Sequence, residues 1–351
     1  MDVRSFIKTA ALMAISISSA FLPSYSFADI TNNADKFWIN RTYDNLSKIK
    51  NFQAVTEQSL SNKVAPIISD VTFHAPTNFY QIVTQPESLK GFETSYSNNT
   101  IILHDSINKQ AITVKGLQQP KEDSAFERIK GIYFYNKEYY EQEFTPSIHV
   151  ADRLSVGMDL VAKNDKVEIK KIEAFVDYHY SLFMQANFIF NSGLEAKIRN
   201  TSMAFNQDGL LLPTIKLAKD TRITSWDLNK KGLSDKQISQ KISKDIVWPE
   251  GSDNAWEFST HKFYQQKEAK NAAAYYYNDA FFLITLTRAS NSEDLSSLGI
   301  PLPLGDTPAR LTQYPAFSTV EFNRNGIHYT LLSNTQPESL LTMAKGIVSK
   351  S

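Results

Sequence analysis

The sequence has 351 residues, of which 37 are basic and 37 acidic, and it contains no cysteine. The lack of cysteine excludes disulfides, thiolate metal sites and a cysteine nucleophile. A formal net charge of zero argues against nucleic acid as a partner, because phosphate binding needs a basic surface, and no polybasic cluster offers a site for anionic lipid.

Residues 1–28 have the three features of a secretory signal peptide. Arg4 and Lys8 form a short basic start, Ala10 to Leu22 supply an apolar core, and Ser26-Phe27-Ala28 has the small-x-small pattern of a cleavage site. The core is shorter than the roughly 20 residues that span a bilayer, which makes an uncleaved anchor the weaker alternative. We expect cleavage after Ala28 and, without a cysteine to carry lipid, a soluble mature protein outside the cytoplasm.

The first half of the mature chain predicts one helix followed by many short strands. Residues 33–50 are predicted to be helical, because Ile39, Tyr43 and Leu46 recur with helical spacing. Runs of β-branched and aromatic residues between turn residues then predict strands. These predicted strands are Phe52–Leu60, Pro66–Phe73, Asn78–Thr84, Thr100–His104 and Gln110–Val114. The more polar segment Gln118–Arg128 is predicted as a helix or a loop.

The clearest strand pattern lies between Val167 and Asn206. Every second residue of one run is apolar, which places these side chains on one face of a sheet. They are Leu182, Met184, Ala186, Phe188 and Phe190. Asn191-Ser192-Gly193 predicts a hairpin turn into Leu194–Phe205. Residues 29–206 are therefore expected to form an α+β domain with a large curved antiparallel sheet that has one strongly apolar face.

Residues 207–254 are predicted to be an exposed connector, and residues 255–351 a small C-terminal α+β domain. Its predicted strands are Trp256–Tyr264, Ala272–Tyr277, Phe281–Arg288, Phe317–Phe322 and Ile327–Leu332. Asn325-Gly326 favours a hairpin, because both positions of its turn need positive φ. The proline-rich stretch Pro301–Pro315 is predicted to be a loop, and a capping box from Thr335 to Glu338 predicts a final helix.

No motif in the sequence carries an evident chemistry. H-E-x-x-H and the i, i+4 histidine pair of a zinc helix are missing, as are a G-x-S-x-G elbow and the glycine-rich phosphate loops. The six histidines are scattered in strand-like runs: His74, His104, His149, His179, His261 and His328. We expect no catalytic residue, no metal and no cofactor. A hydrolase with a site assembled from distant residues is the alternative.

Aromatic residues are abundant instead, with 22 Phe, 16 Tyr and 4 Trp. Core packing and cross-strand pairs account for most of them, including the tyrosines at 133, 135, 139, 140 and 275–277, which are predicted to lie on strands. The functional interpretation is an apolar sheet face that accepts an acyl chain or a peptide. Its candidate ligand-binding residues are Phe79, Met184, Phe188 and Phe190, each of which could equally be ordinary core.

Three segments carry a family resemblance: Pro76-Thr-Asn-Phe79, Gln85-Pro86-Glu87 and the run from Ser97 to Asp105. They are similar to the start of the fold of the LolA-type lipoprotein carriers. The helix predicted at 33–50 matches the N-terminal helix of that fold. The resemblance implies a LolA-like half-barrel, which is a large curved antiparallel sheet with helices.

Further segments are similar to the RseB/MucB branch, whose members are periplasmic regulators of the sigma-E envelope-stress pathway. These segments are Val150–Leu154, Val161–Asp165, Val176-Asp177, Leu182, Gly193, Phe205-Asn206, Leu286–Ala289 and Ile327–Val348. The resemblance implies a periplasmic binding protein that senses a lipid or lipoprotein in a hydrophobic cavity. Its implied partner is the periplasmic domain of a membrane anti-sigma factor. The alternative is a periplasmic carrier that delivers acylated lipoproteins or lipids to the outer membrane.

Overall fold

The computed structural model describes the residues that form two β-sheets and two helices of more than ten residues. The described residues are 33–61, 65–107, 109–116, 133, 136–164, 169–191, 193, 195–227, 247, 260–265, 271–278, 280–288, 300–314, 317–333 and 337–349. The predicted signal peptide at 1–28, the segment Gln118–Arg128 and Thr335 of the predicted capping box lie outside them. None of the helices described here is long and apolar enough to cross a membrane.

Helix α1 spans Asn33–Ser47 and confirms the predicted helix. Near its start, the carboxylate of Asp35 accepts hydrogen bonds from the ammonium of Lys137 at 2.6 Å and from the hydroxyl of Tyr133 at 2.9 Å. The hydrogen bond from Lys137 is the main reason that the pKa of Asp35 lies below its ordinary value. Near its end, Asn45 donates a hydrogen bond to Ser181 at 2.9 Å. Contacts at both ends therefore fix α1 to segments that flank strands of the large sheet.

The large sheet has twelve strands. The strands are β1 (Asn51–Leu60), β2 (Ile67–His74), β3 (Asn78–Gln85), β4 (Phe92–Ser97), β5 (Thr100–Asp105), β6 (Gln110–Lys115), β7 (Tyr140–Val150), β8 (Arg153–Ala162), β9 (Ile169–Asp177), β10 (Phe183–Phe190), β11 (Glu195–Phe205) and β12 (Arg222–Asp227). Their order across the sheet is β12-β6-β5-β4-β3-β2-β1-β11-β10-β9-β8-β7. Strands β1 to β6, with β12, form one half of the sheet, and strands β7 to β11 form the other. The two halves meet where β1 pairs with β11.

The half of the sheet from β11 to β7 is strongly curved. Four strand spacings separate β7 from β11, which in a flat sheet would be about 19 Å. Cα atoms of these two strands nevertheless come within 8 Å of each other, as do those of β7 and β9. The curved antiparallel sheet expected from the sequence is therefore confirmed.

The second sheet has seven strands and one helix, and it confirms the predicted small α+β unit. Its strands are β13 (Thr260–Gln265), β14 (Asn271–Asn278), β15 (Ala280–Arg288), β16 (Ile300–Leu304), β17 (Thr307–Tyr314), β18 (Phe317–Arg324) and β19 (Ile327–Ser333), in the order β13-β14-β15-β19-β18-β17-β16. Helix α2 (Pro337–Ser349) packs on one face. Its Leu340, Ala344 and Ile347 are fully buried against Val320 and Tyr329 of the sheet.

The predicted loop at Pro301–Pro315 is wrong, because this stretch forms the hairpin of β16 and β17. Strand β16 lies at the edge of the second sheet and pairs with β17 alone. An edge strand tolerates proline, because one side of it needs no N–H donors. Pro301 and Pro303 are therefore compatible with a strand at this position.

Strands β4, β7, β8 and β12 were not predicted from the sequence. Strand β7 is exposed along most of its length, so it lacks the alternation that marks a half-buried strand. Tyr133 and Tyr139, predicted to lie on strands, lie in helical turns before β7 instead. Strand β12 comes from the predicted connector and pairs parallel to β6, whereas the other pairs described in this sheet are antiparallel.

Gly157 of β8 generates a prediction about the packing of β8 against the outermost strand, β7. A Cβ atom at position 157 would collide with the Thr145 hydroxyl and lie 2.8 Å from the carbonyl oxygen of Pro146. We expect Gly157→Ala to lower the free energy of unfolding by about 1–3 kcal/mol through overpacking. Urea denaturation measures the change.

The matched control is Gly346→Ala in helix α2, where nothing lies within 4 Å of the new Cβ. That substitution should raise stability by up to about 1 kcal/mol, because alanine favours a helix over glycine. Equal effects of the two substitutions would contradict the tight contact at Gly157.

Candidate functional site

The register of the large sheet places one apolar side chain from each of seven adjacent strands in a single row. This aromatic row consists of Phe205, Phe52, Phe73, Phe79, Tyr96, Ile101 and Val114, taken across β11 and β1 to β6. The rings of Phe52 and Phe73 stack with their centroids 5.1 Å apart, and the Phe205 ring lies 6.0 Å from that of Phe52. All members except Phe205 are at most 3% exposed. The row spans about 29 Å of apolar surface across seven strands.

Two other parts of the chain pack against the aromatic row. Leu46 of α1, Ile49 just after α1 and Leu332 of β19 in the second sheet belong to the same buried cluster as the aromatic row. Leu332 points away from α2, since its neighbour Leu331 belongs to the core under that helix. The buried cluster around the aromatic row therefore includes a residue of each sheet.

The residues predicted to bind a ligand fall into different apolar clusters. Phe79 is completely buried in the aromatic row, whereas Phe188 packs with Ala186 and Ile198 in the curved half of the sheet. Phe190 is partly buried beside Phe188, and Met184 is completely buried. The structure thus brings Phe188 and Phe190 together and places Phe79 in another cluster. Their role in binding stays a prediction.

A band of polar side chains crosses the same face of the sheet next to the aromatic row. This polar band consists of Thr56, Gln58, Ser69, Gln81, Thr94 and Asn200, all at most 7% exposed. Thr56 donates a hydrogen bond to Asn200 Oδ1 at 3.1 Å. Sequence reasoning missed the band, although Thr56 and Gln58 share the strand parity of Phe52 and should therefore lie on the buried face.

Arg153 of β8 covers the end of the aromatic row. Its guanidinium carbon lies 4.7 Å from the ring centroid of Phe205 and 5.3 Å from that of Tyr180. Its Nε donates a hydrogen bond to Asp177 at 2.6 Å, and Asp177 also accepts from the backbone N–H groups of His179 and Tyr180. The Asp177 side chain is only 1% exposed. Because that carboxylate is so buried, Arg153 is its essential counter-charge.

Exposed aromatic side chains surround the outer surface of α1. The Trp38 ring lies 5.4 Å from that of Phe37 and 6.2 Å from that of Phe144 on β7. Arg41 lies 5.5 Å above both Trp38 and Tyr178. These rings are 40–61% exposed, so they are available for contact with other molecules.

A hydrogen-bonded trio of titratable residues lies on the opposite face of the sheet. The Tyr80 hydroxyl donates to Glu93 at 2.6 Å, and His104 Nδ1 lies 2.8 Å from the other oxygen of Glu93. Burial and the adjacent Glu93 raise the pKa of Tyr80. Tyr80 follows Phe79 along β3, so its side chain points away from the aromatic row. The trio is therefore separate from the apolar surface.

The described residues contain no cluster of His, Asp and Glu that could hold a metal ion. The buried face is lined by aliphatic and aromatic side chains, hydroxyl groups and side-chain amides. Such a surface can bind apolar molecules and orient them with a few hydrogen bonds.

No family model matches the sequence, and no curated protein matches it. Solved structures do match the fold. A MucA/MucB complex from Pseudomonas aeruginosa is 9% identical, with 89% of this chain and 97% of that chain covered and a TM-score of 0.42. A putative outer membrane lipoprotein-sorting protein domain from Vibrio parahaemolyticus is 10% identical, with 50% and 95% covered and a TM-score of 0.27.

A LolA superfamily protein from Nitrosomonas europaea is 11% identical to this chain, with 52% of this chain and 98% of that chain covered and a TM-score of 0.23. The printed names MucB and LolA superfamily are those of the two groups that the sequence resembles.

The contact between Arg153 and Asp177 generates a prediction about stability. Arg153→Met leaves the buried Asp177 carboxylate without its counter-charge, and we expect a loss of about 3 kcal/mol in the free energy of unfolding. The control is Lys109→Met, which breaks the exposed pair with Asp220 and should cost at most about 1 kcal/mol. Denaturation curves at pH 7 measure both. A loss for Arg153→Met no larger than that for the control would show that Arg153 is not needed to neutralise Asp177.

Proposed function

We propose that this chain binds an acyl chain of a lipid or lipoprotein on the buried face of its large sheet, and that binding regulates its association with a partner protein. The proposed location is the periplasm, and the proposed partner is the periplasmic domain of a membrane anti-sigma factor. The chain would act as a binding protein and not as an enzyme.

The observation that carries this proposal is the aromatic row together with Leu332 in the same buried cluster. A continuous apolar surface about 29 Å wide has the dimensions and the chemistry for a hydrocarbon chain. Each methylene group that leaves water contributes about 0.8 kcal/mol, so a twelve-carbon chain has enough apolar surface for tight binding.

Leu332 supports regulation in addition to binding. Leu332 lies in the same buried cluster as the aromatic row, so an acyl chain that enters this cluster competes with Leu332 for apolar contacts. A ligand that binds only when Leu332 has moved away shifts the population toward a state in which the second sheet has left the row. A partner held by both sheets would then be released.

The second candidate is a periplasmic carrier of acylated lipoproteins or lipids. The apolar surface of the aromatic row favours it equally, because a carrier must also shield acyl chains from water. The sequence resembles LolA-type carriers as well as the RseB/MucB branch, and one matching structure is of MucB in complex with MucA(peri). Regulation is preferred here because a carrier needs no competition from Leu332.

Leu332→Ala tests the competition. Removing part of the competing side chain should tighten the binding of a fluorescent fatty acid, 11-(dansylamino)undecanoic acid, severalfold in a titration. The control is Leu341→Ala, because Leu341 is also 5% exposed but lies in the core under α2. Both variants lose about 2–5 kcal/mol of packing, so their thermal midpoints are measured alongside.

Tighter binding in both variants, or in neither, would contradict competition at Leu332. A titration with the purified periplasmic domain of the anti-sigma factor then separates the two candidate functions. Partner binding that weakens when the fatty acid is added supports the regulator, whereas a chain that binds the fatty acid but never the partner supports the carrier.

A further inference from the structure

The polar band contains three buried acceptor atoms that have no hydrogen-bond partner. They are Gln58 Oε1, Ser69 Oγ and Gln81 Oε1, each without a partner within the described part of the chain. Gln58 is 1% exposed, Ser69 0% and Gln81 7%. Most buried polar groups in proteins are hydrogen-bonded, and each unpaired one costs about 1–3 kcal/mol. Three on adjacent strands therefore point to a ligand that supplies a hydrogen-bond donor to this face.

The three atoms lie on one face of three adjacent strands. Gln58 is on β1, Ser69 on β2 and Gln81 on β3, and the strand register puts all of them on the face of the aromatic row. Ser69 pairs with Thr56, whose hydroxyl already donates to Asn200. The side chains of Thr56 and Asn200 in the polar band are thus hydrogen-bonded to each other, whereas Gln58 Oε1, Ser69 Oγ and Gln81 Oε1 remain as free acceptors.

Apolar surface borders the polar band on both sides. The aromatic row lies on one side, and Ile67, Val83, Leu89 and Ile198 lie in buried clusters on the other. A ligand that lies across this face would meet apolar side chains at both of its ends and the polar band in its middle. This pattern fits an acyl chain with a polar group near its attachment point, rather than a plain hydrocarbon.

We propose that the polar band selects acyl chains that carry a hydrogen-bond donor, either an amide N–H or a chain hydroxyl. The side-chain carbonyls of Gln58 and Gln81 accept hydrogen bonds, and the hydroxyl of Ser69 accepts or donates. An ester or an ether offers only acceptors and would leave both glutamine oxygens unpaired. This inference rests on the proposed acyl-binding function, since it names the class of ligand for the same face.

The test compares two pairs of soluble probes that differ only in the donor. N-lauroylglycine has the amide N–H that N-lauroylsarcosine replaces with N–CH₃, and 3-hydroxydodecanoate has the hydroxyl that dodecanoate lacks. We expect a preference of about tenfold for the member with the donor, measured by calorimetric titration. A preference in the first pair identifies an amide-linked chain as the ligand, and a preference in the second pair identifies a hydroxylated chain.

Two variants link the preference to the polar band. Gln58→Met and Gln81→Met keep the side-chain volume and remove the unpaired carbonyl. The ratio of the dissociation constants within each pair of probes should therefore fall toward one, while the thermal midpoint of the protein stays the same or rises. The control is Gln53→Met, because Gln53 is exposed on the opposite face of β1 and should leave the preference unchanged.

Equal binding within both pairs of probes would overturn the inference and would assign the polar band to buried water, while the proposed acyl binding would stand. A preference that survives in both methionine variants would overturn it as well. If none of the four probes binds, the proposed function fails together with the inference.

Discussion

The in-register burial of the aromatic row is the interaction on which the rest of the structure depends. Antiparallel pairing aligns Phe52, Phe73 and Phe79 on one face, where their rings exclude water from the centre of the sheet. Leu46 of helix α1 and Leu332 of the second sheet belong to the same buried cluster as the row. One apolar cluster therefore stabilises the large sheet and includes a residue of the second, so a molecule that binds in this cluster is expected to act on both.

The polar band gives this surface a chemical specificity that hydrocarbon alone lacks. Apolar contact is non-directional and roughly proportional to area, so the aromatic row cannot distinguish one acyl chain from another. Buried acceptors such as Gln58 and Gln81 are directional and costly when unpaired. A ligand that donates a hydrogen bond to such an acceptor removes the free-energy cost of leaving it unpaired, and this gain favours a ligand with a donor.

Strand alternation made part of this architecture predictable. The apolar residues at every second position from Met184 to Phe190 correctly predicted β10 and its buried face. Asn325-Gly326 correctly predicted a hairpin, in which both turn residues have positive φ. The polar band followed the same parity but was overlooked, because Gln58 and Ser69 are typical of exposed positions. Strand β12 and the contact of Leu332 depend on pairing and packing between distant segments, which local patterns do not encode.

The most direct test of coupling between the two sheets is a distance measured with and without ligand. The natural chain has no cysteine, so spin labels on Ser202→Cys of β11 and Thr342→Cys of α2, both exposed positions, report the separation of the two sheets by electron resonance. Saturating N-lauroylglycine should shift the distribution to longer distances, because the ligand replaces Leu332 on the aromatic row. An unchanged distribution with the ligand bound would contradict this coupling.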